Sequence, residues 1–371
     1  MDTLLLVANW PSDVGYAWWL MESYWAELAR HHKGRTVLAY PKVTTIPKAI
    51  AEAPLEVIEA DFTANGKVAN QCALIKRLGV QTVYLTDQAP CRLRNVCWRR
   101  AGVRRIVTHD HTPGLRTTAT GWRRALKATR ARLPGYTADI AIGATELVRR
   151  RLVEVSCLPE ARTRVVPNGL PPVTVAPKDV RAEFGIHSDR VILVTTGRAA
   201  AIKNVPFALR CIKQIPEAHL LHIGDGPELE AWQGLAKQLG VEHRVTWAGK
   251  RSDVAALLPS CDIAIQPSKG EVGYSLSILE YMRAGLPVIV PDNPSVCGAT
   301  TDGVDGRIYR EDDTTDAVAC LRELVASPTL RREMGRNGQQ AVRHRFSLAE
   351  AHARLVEAVL GQPALEPATA A

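Results

Sequence analysis

Short aliphatic runs alternate with helix-length segments along almost the whole chain. A first series comprises TLLLVA at 3–8, TVLAY at 36–40, TVYLT at 82–86, RRIVTH at 104–109 and DIAIG at 139–143. A second comprises VILVTTG at 191–197, AHLLHIG at 218–224, RVTWAG at 244–249, DIAIQ at 262–266 and LPVIV at 286–290. Such alternation predicts parallel sheets with helices on both faces, and two series predict two doubly wound, Rossmann-like α/β domains. The proline-rich stretch VVPNGLPPVTVAP at 165–177 is the natural break between them. The expected division is a first domain over 1–170, a second over 171–345, a C-terminal helix over 346–362 that packs back toward the first domain, and a mobile tail over 363–371.

Composition agrees with this organisation. The 371 residues, 46% of them hydrophobic, suffice for two packed cores. No apolar run approaches the length of a membrane span. The opening strand has neither a basic region before it nor a cleavage pattern after it, so the expected location is the cytoplasm. The eight cysteines include no C-x-x-C pair, which argues against a zinc or redox motif and for reduced core thiols.

The densest chemistry lies in PSKGEVGYSLSILEYMRAGLPVIV at 267–290. A glycine-containing loop follows a buried strand, and a helix from about Ser275 aims its positive end at whatever fills the loop. Tyr274 and Ser275 sit where a diphosphate would meet that end. Glu280, in the second turn, is placed to accept hydrogen bonds from the vicinal hydroxyls of a ribose, and Gly285 with Pro287 stops the helix. The bland alternative is an ordinary strand-loop-helix unit with a solvated glutamate.

Three further pieces converge on this cradle. Arg198 follows the strand VILVTTG and Lys203 comes five residues later; cations at the carboxyl end of a strand sit where open α/β sheets bind ligands. Arg grips a diphosphate bidentately and Lys adds a compact charge, so together they would stabilise a departing nucleotide. GDGPELE at 224–230 supplies another strand-end turn, and AGKRSDV at 248–254 is placed to border a base, although Ser252 could simply cap a helix there.

Taken in order, VVPNGL at 165–170, TGRAAAIKN at 196–204, GDGPELE, the 267–290 unit, DGVDGRIY at 302–309 and SPTLRREMGRNGQQAVRHRFS at 327–347 resemble the donor half of retaining GT-B glycosyltransferases of the family 4 grouping. The resemblance implies a nucleotide-sugar donor, UDP- or GDP-linked, as substrate with no other cofactor. It implies Arg198 and Lys203 on the donor diphosphate and Glu280 on the ribose. It also implies an acidic residue at the sugar. The family separates its two glutamates by seven residues, whereas eight separate Glu271 from Glu280, so either the loop carries one extra residue or the first acidic position is lost; the equal distance from Pro267 and Ser268 favours the extra residue. The implied mechanism is front-face transfer with retention and no metal, the leaving phosphate helping to accept the acceptor's proton. No acidic cluster contradicts this, EDD at 311–313 reading as the polar start of a helix.

The first half is less explicit. Gly15, in NWPSDVGYAWWL, resembles the family's glycine-containing acceptor loop without its usual second glycine. Trp18, Trp19, Tyr24 and Trp25 are at mixed spacing, which favours packing over a sugar platform. His109 closes the strand RRIVTH and matches a strand-end histidine that contacts the transferred sugar or donor phosphate in related enzymes; His111 competes for that role.

Charge adds the last element. The net charge is +9, and between Arg92 and Arg132 twelve Lys or Arg face one acidic residue, Asp110. Within it, residues 115–135 combine Trp122, Leu126 and Leu133 with six cations, as an amphipathic helix on anionic lipid would. A peripheral enzyme at the inner face of the cell membrane, acting on a lipid-linked or anionic glycan, fits this patch as well as a solvated Arg-rich face does. Nucleic acid is disfavoured, since no recognised module accompanies the charge. Two other functions remain open: a nucleotide-sugar epimerase of the same fold, and a membrane- or polyanion-binding relative without catalysis.

Overall fold

The computed structural model describes residues 2–13, 18–173 and 175–361. The chain separates into two compact units, one of Met1–Thr112, Arg116–Gly169 and Leu348–Ala371, the other of Pro113–Leu115 and Leu170–Ser347.

The first unit is built on seven strands, β1 (Thr3–Val7), β2 (Arg35–Tyr40), β3 (Glu56–Glu59), β4 (Val80–Thr86), β5 (Arg105–Asp110), β6 (Ile140–Gly143) and β7 (Thr163–Val165). They pair in the order β3-β2-β1-β4-β5-β6-β7, every neighbour parallel. All five residues of β1 are buried, as a central strand covered by helices on both faces requires. Helix Leu348–Leu360 belongs to this unit: His352 meets Ser23, and Arg105 donates to the carbonyl of Ala358 at 2.8 Å. The aromatic run after β1 is packing. Tyr24 and Trp25 are fully buried, and Trp18 stacks on Trp25 with centroids 5.8 Å apart.

The second unit has six parallel strands, β8 (Val191–Thr196), β9 (Ala218–Ile223), β10 (Val245–Trp247), β11 (Ile263–Ile265), β12 (Val288–Pro291) and β13 (Gly306–Tyr309), in the order β10-β9-β8-β11-β12-β13. Its core packs Leu193, Leu220, Ile263 and Ile289 of the sheet against Phe207, Leu209 and Ile212 of helix Val205–Lys213 and Leu321 of helix Thr314–Ala326. Asp313 caps the latter by accepting the N–H of Asp316, which gives the acidic run 311–313 its role as a helix start.

β3, β7 and β13 have no counterpart among the expected strands. The cysteines are free thiols, but only Cys157, Cys211, Cys261 and Cys320 are buried, so the expectation of eight core thiols holds for half of them.

Candidate functional site

In both sheets the strand order reverses once, between β1 and β4 and between β8 and β11. Such a reversal opens a crevice at the carboxyl ends of the strands, because the two connections leave toward opposite faces. In the second unit that crevice is flanked by the segments carrying Lys203, after β8, and Glu271, after β11.

The local sequence fixes Lys203. A tight turn at Ala201–Lys203 ends at Asn204 in the left-handed region, and helix Val205–Lys213 follows with proline in its first turn. The Lys203 ammonium lies 2.5 Å from Glu271 Oε1, with the two side chains 20% and 11% exposed. The same carboxylate oxygen accepts from Ser268 Oγ at 2.8 Å and Gln266 Nε2 at 3.0 Å. Gln266 Oε1 in turn accepts from the buried Tyr281 hydroxyl at 3.2 Å, and that hydroxyl accepts the N–H of Thr196. One polar network therefore ties the ends of β8 and β11 to helix Leu276–Ala284.

Helix Leu276–Ala284 begins at Ser275, which is buried and makes no side-chain cap. The N–H groups of its first turn have no partner within the helix and carry its positive end. The ring of Tyr274 packs edge-on against Phe346, centroids 4.9 Å apart. Gly285 ends the helix at φ +83, a left-handed cap a β-carbon would disfavour.

Arg198 is exposed and forms no ion pair among the described residues. The turn it occupies is held against the GDGPE segment: Ala199 donates to the carbonyl of Asp225 at 2.9 Å, and Glu228 donates to the carbonyl of Ala199 at 3.1 Å. Gly224 permits this approach, since a β-carbon there would lie 1.9 Å from the Gly197 carbonyl oxygen.

Glu280 lines a cleft of about 560 Å³ with Pro171, Ala255, Leu258, Arg283 and Val342. Burial raises its carboxyl above the usual range, with the Arg283 guanidinium opposing the shift. Arg283 itself donates to the carbonyl of Pro171 at 2.8 Å. Lys203 and Glu271 form a charged pair, and the cleft lined by Glu280 is largely apolar. That cleft includes the first turn after AGKRSDV, where Asp253 rather than Ser252 stands at the helix start and is held by Arg251 and Lys178.

In the first unit, His109 is fully buried on β5. Its Nδ1 lies 2.7 Å from the Tyr84 hydroxyl, and its ring stacks on Tyr24 and lies 3.9 Å from that of His111. His109 Nε2 and both ring nitrogens of His111 are buried without a hydrogen-bond partner. Burial lowers His109 far below its ordinary range and His111 to about 4, so both rings are neutral at pH 7. Asp87, which the sequence did not suggest, follows β4 at φ +53 and accepts the N–H of His111 at 2.7 Å. Its carboxyl is pushed up to about 6, chiefly by burial and further by Asp110, against the His111 N–H and Arg151. Neutral imidazoles with free ring nitrogens, Nε2 of His109 and both of His111, suit the hydroxyls of a sugar better than a phosphate. Gly15 lies outside the described residues.

Gln266, Ser268 and Tyr281 were also missed. The signal was a glutamine closing an otherwise apolar strand, since a buried amide needs partners.

Two open parallel sheets of this kind are shared with solved GT-B glycosyltransferases. Anabaena HepE, crystallised with UDP, superposes with a TM-score of 0.75 at 16% identity, covering 98% of this chain and 100% of that one. WaaG, a glycosyltransferase of lipopolysaccharide biosynthesis, does so at 0.68 and 17% identity over 97% and 100%. The chain has the two-domain fold of the GT-B class. Residues 178–341, somewhat under half of the chain, match the family model of group 1 glycosyl transferases. A GDP-mannose-dependent alpha-(1-6)-phosphatidylinositol monomannoside mannosyltransferase of Mycolicibacterium smegmatis is 27% identical over 97% of this chain and 98% of its own length. An N-acetyl-alpha-D-glucosaminyl L-malate synthase of Bacillus anthracis is 29% identical over 45% of this chain and 44% of its own length. Among the described residues no helix is long and apolar enough to cross a membrane.

Proposed function

We propose that this chain is a retaining hexosyltransferase that moves a sugar from a UDP- or GDP-linked donor to a lipid-linked or anionic glycan acceptor without a metal ion. The observation that carries the reading is the Lys203–Glu271 pair beside the strand-order reversal. Lys203, with Arg198 and the open start of helix Leu276–Ala284, meets the diphosphate; Glu271 contacts the sugar; Glu280 takes the ribose hydroxyls, with Ala255 and Leu258 beside the base. In the transfer the bond from the anomeric carbon to the diphosphate breaks. The acceptor oxygen bonds to that carbon on the same face, and its proton passes to the leaving diphosphate. The cations and the helix end oppose the charge that develops there. His109 and His111 are the groups for sugar hydroxyls.

The motif resemblance supports retention. The Mycolicibacterium relative, with a GDP-mannose donor and a phosphatidylinositol-based acceptor, supports the donor class and a lipid-linked acceptor.

A thermal-shift panel of UDP, GDP, ADP and their sugars tests the donor, since a ligand of the folded state raises its melting temperature. Lys203→Ala is expected to weaken diphosphate binding on the order of tenfold to a hundredfold, and Glu280→Gln to weaken nucleotides more than free diphosphate. Unchanged affinity in both variants removes the donor site. Donor isomerisation without transfer would mark an epimerase instead.

A further inference from the structure

We infer that helix Gly121–Arg132 docks the first unit onto an anionic bilayer and receives a lipid head group in the groove along its flank. The helix is exposed over nearly its whole length, with only Ala131 buried and Ala128 half-buried. Trp122 and Ala131 are nine positions apart, which at about 100° per residue sets them on roughly opposite faces. The side opposite Ala131 carries Trp122, 71% exposed, and Leu126, 41% exposed. Arg123, Lys127 and Arg130 run along one flank of that stripe.

The charge is uncompensated. No acidic residue occurs between positions 111 and 138. Arg116, Arg123, Arg124, Lys127, Arg130 and Arg132 form no ion pair among the described residues, and Arg124 and Arg132 donate only to backbone carbonyls. A solvated, charge-balanced helix face would show neither the tryptophan nor this one-sided charge.

Trp122, Arg123, Leu126, Lys127 and Arg130 all line a groove of about 480 Å³ together with Pro90 and Tyr136. Apolar and cationic side chains opening into one hollow fit a ligand that is itself both, a phosphate-bearing head group with the first methylenes of its chains. A nucleic acid offers charge but no aliphatic surface. On a bilayer, Trp122 and Leu126 would enter the interface while each nearby cation multiplies partitioning about fivefold. This reading places the acceptor of the proposed transfer at the lipid surface, but bilayer binding is measurable without any transfer.

The test is co-sedimentation of the full chain with vesicles of phosphatidylcholine alone or mixed with phosphatidylglycerol, at low and high salt. Binding to the mixed vesicles is expected, at least about tenfold weaker on phosphatidylcholine and reduced by salt. Trp122→Ser with Leu126→Ser, and separately Arg123→Glu with Arg130→Glu, are each expected to lose it about tenfold or more. Melting temperature and the response to nucleotide diphosphates should be unchanged in both. No preference for anionic vesicles overturns the proposal. So does full binding by the Trp122/Leu126 variant, or equally tight binding to RNA that this variant retains, either of which would reduce the patch to a polyanion site.

Discussion

Glu271→Gln should strengthen the binding of a nucleoside diphosphate while it suppresses transfer. In the structure Lys203 is already engaged, its ammonium 2.5 Å from Glu271 Oε1, and both side chains are mostly shielded from water. An incoming diphosphate must therefore draw the ammonium away from a carboxylate or share it, and it must do so against that carboxylate's own negative charge. A charge pair near a protein surface is worth about 4 kcal/mol of Coulomb energy at 4 Å, of which desolvation leaves about half as net interaction, on the scale of a charged hydrogen bond, about 1.5–3 kcal/mol. Glutamine keeps the shape and the oxygen that accepts from Lys203, Ser268 and Gln266, but removes the charge. Recovering about 1.4 kcal/mol of that interaction means roughly tenfold tighter UDP or GDP. The gain for the nucleotide sugar should be smaller, because a carboxylate that reaches the sugar is also lost, and turnover should fall. Isothermal titration with the diphosphate and the sugar nucleotide, beside steady-state transfer, reads all three effects; Lys203→Ala in both backgrounds measures the coupling. If Glu271→Gln weakens the diphosphate as Lys203→Ala does, the carboxylate is part of a rigid frame for the lysine rather than its resting partner, and the exchange argued here does not occur.

Two other expectations concern stability. Gly224→Ala would drive a β-carbon to 1.9 Å from the Gly197 carbonyl oxygen, backbone against backbone, so a loss of more than about 3 kcal/mol is expected in urea unfolding; a loss under about 1 kcal/mol would contradict the contact. His222, fully buried between Trp232 and Trp247 without a hydrogen-bond partner, has its pKa lowered to about 4 by burial. The unfolded chain then binds the extra proton between about pH 6.5 and 4, so stability contributed by the neutral ring is present above that window and falls as pH falls through it, by about 2 kcal/mol at pH 5. Asp87, pushed up to about 6, acts in the opposite sense, so the informative quantity is the difference between wild type and His222→Phe at pH 5 and 7.5: the variant should lose less, and equal losses would show that His222 takes up no proton on unfolding.

What the sequence disclosed follows from where each residue lies in its sheet. The ten strands it announced include all the central ones, whose runs are apolar because helices cover both faces. The three it concealed, EVIE in β3, TRV in β7 and GRIY in β13, are all edge strands. An exposed edge is protected from pairing with other chains by charge, and that charge erases the aliphatic signature of a strand. The same reasoning applies to the site. Lys203 and Glu271 were legible as residue types at strand ends, but their contact spans 68 positions and exists because β8 and β11 are neighbours at the reversal of strand order, a relation carried by topology. The surroundings of Glu271 and Glu280 were hidden for the same reason: Glu271 meets Lys203, and Glu280 lines a cleft with Pro171, Ala255 and Leu258, all distant along the chain and joined only by the fold.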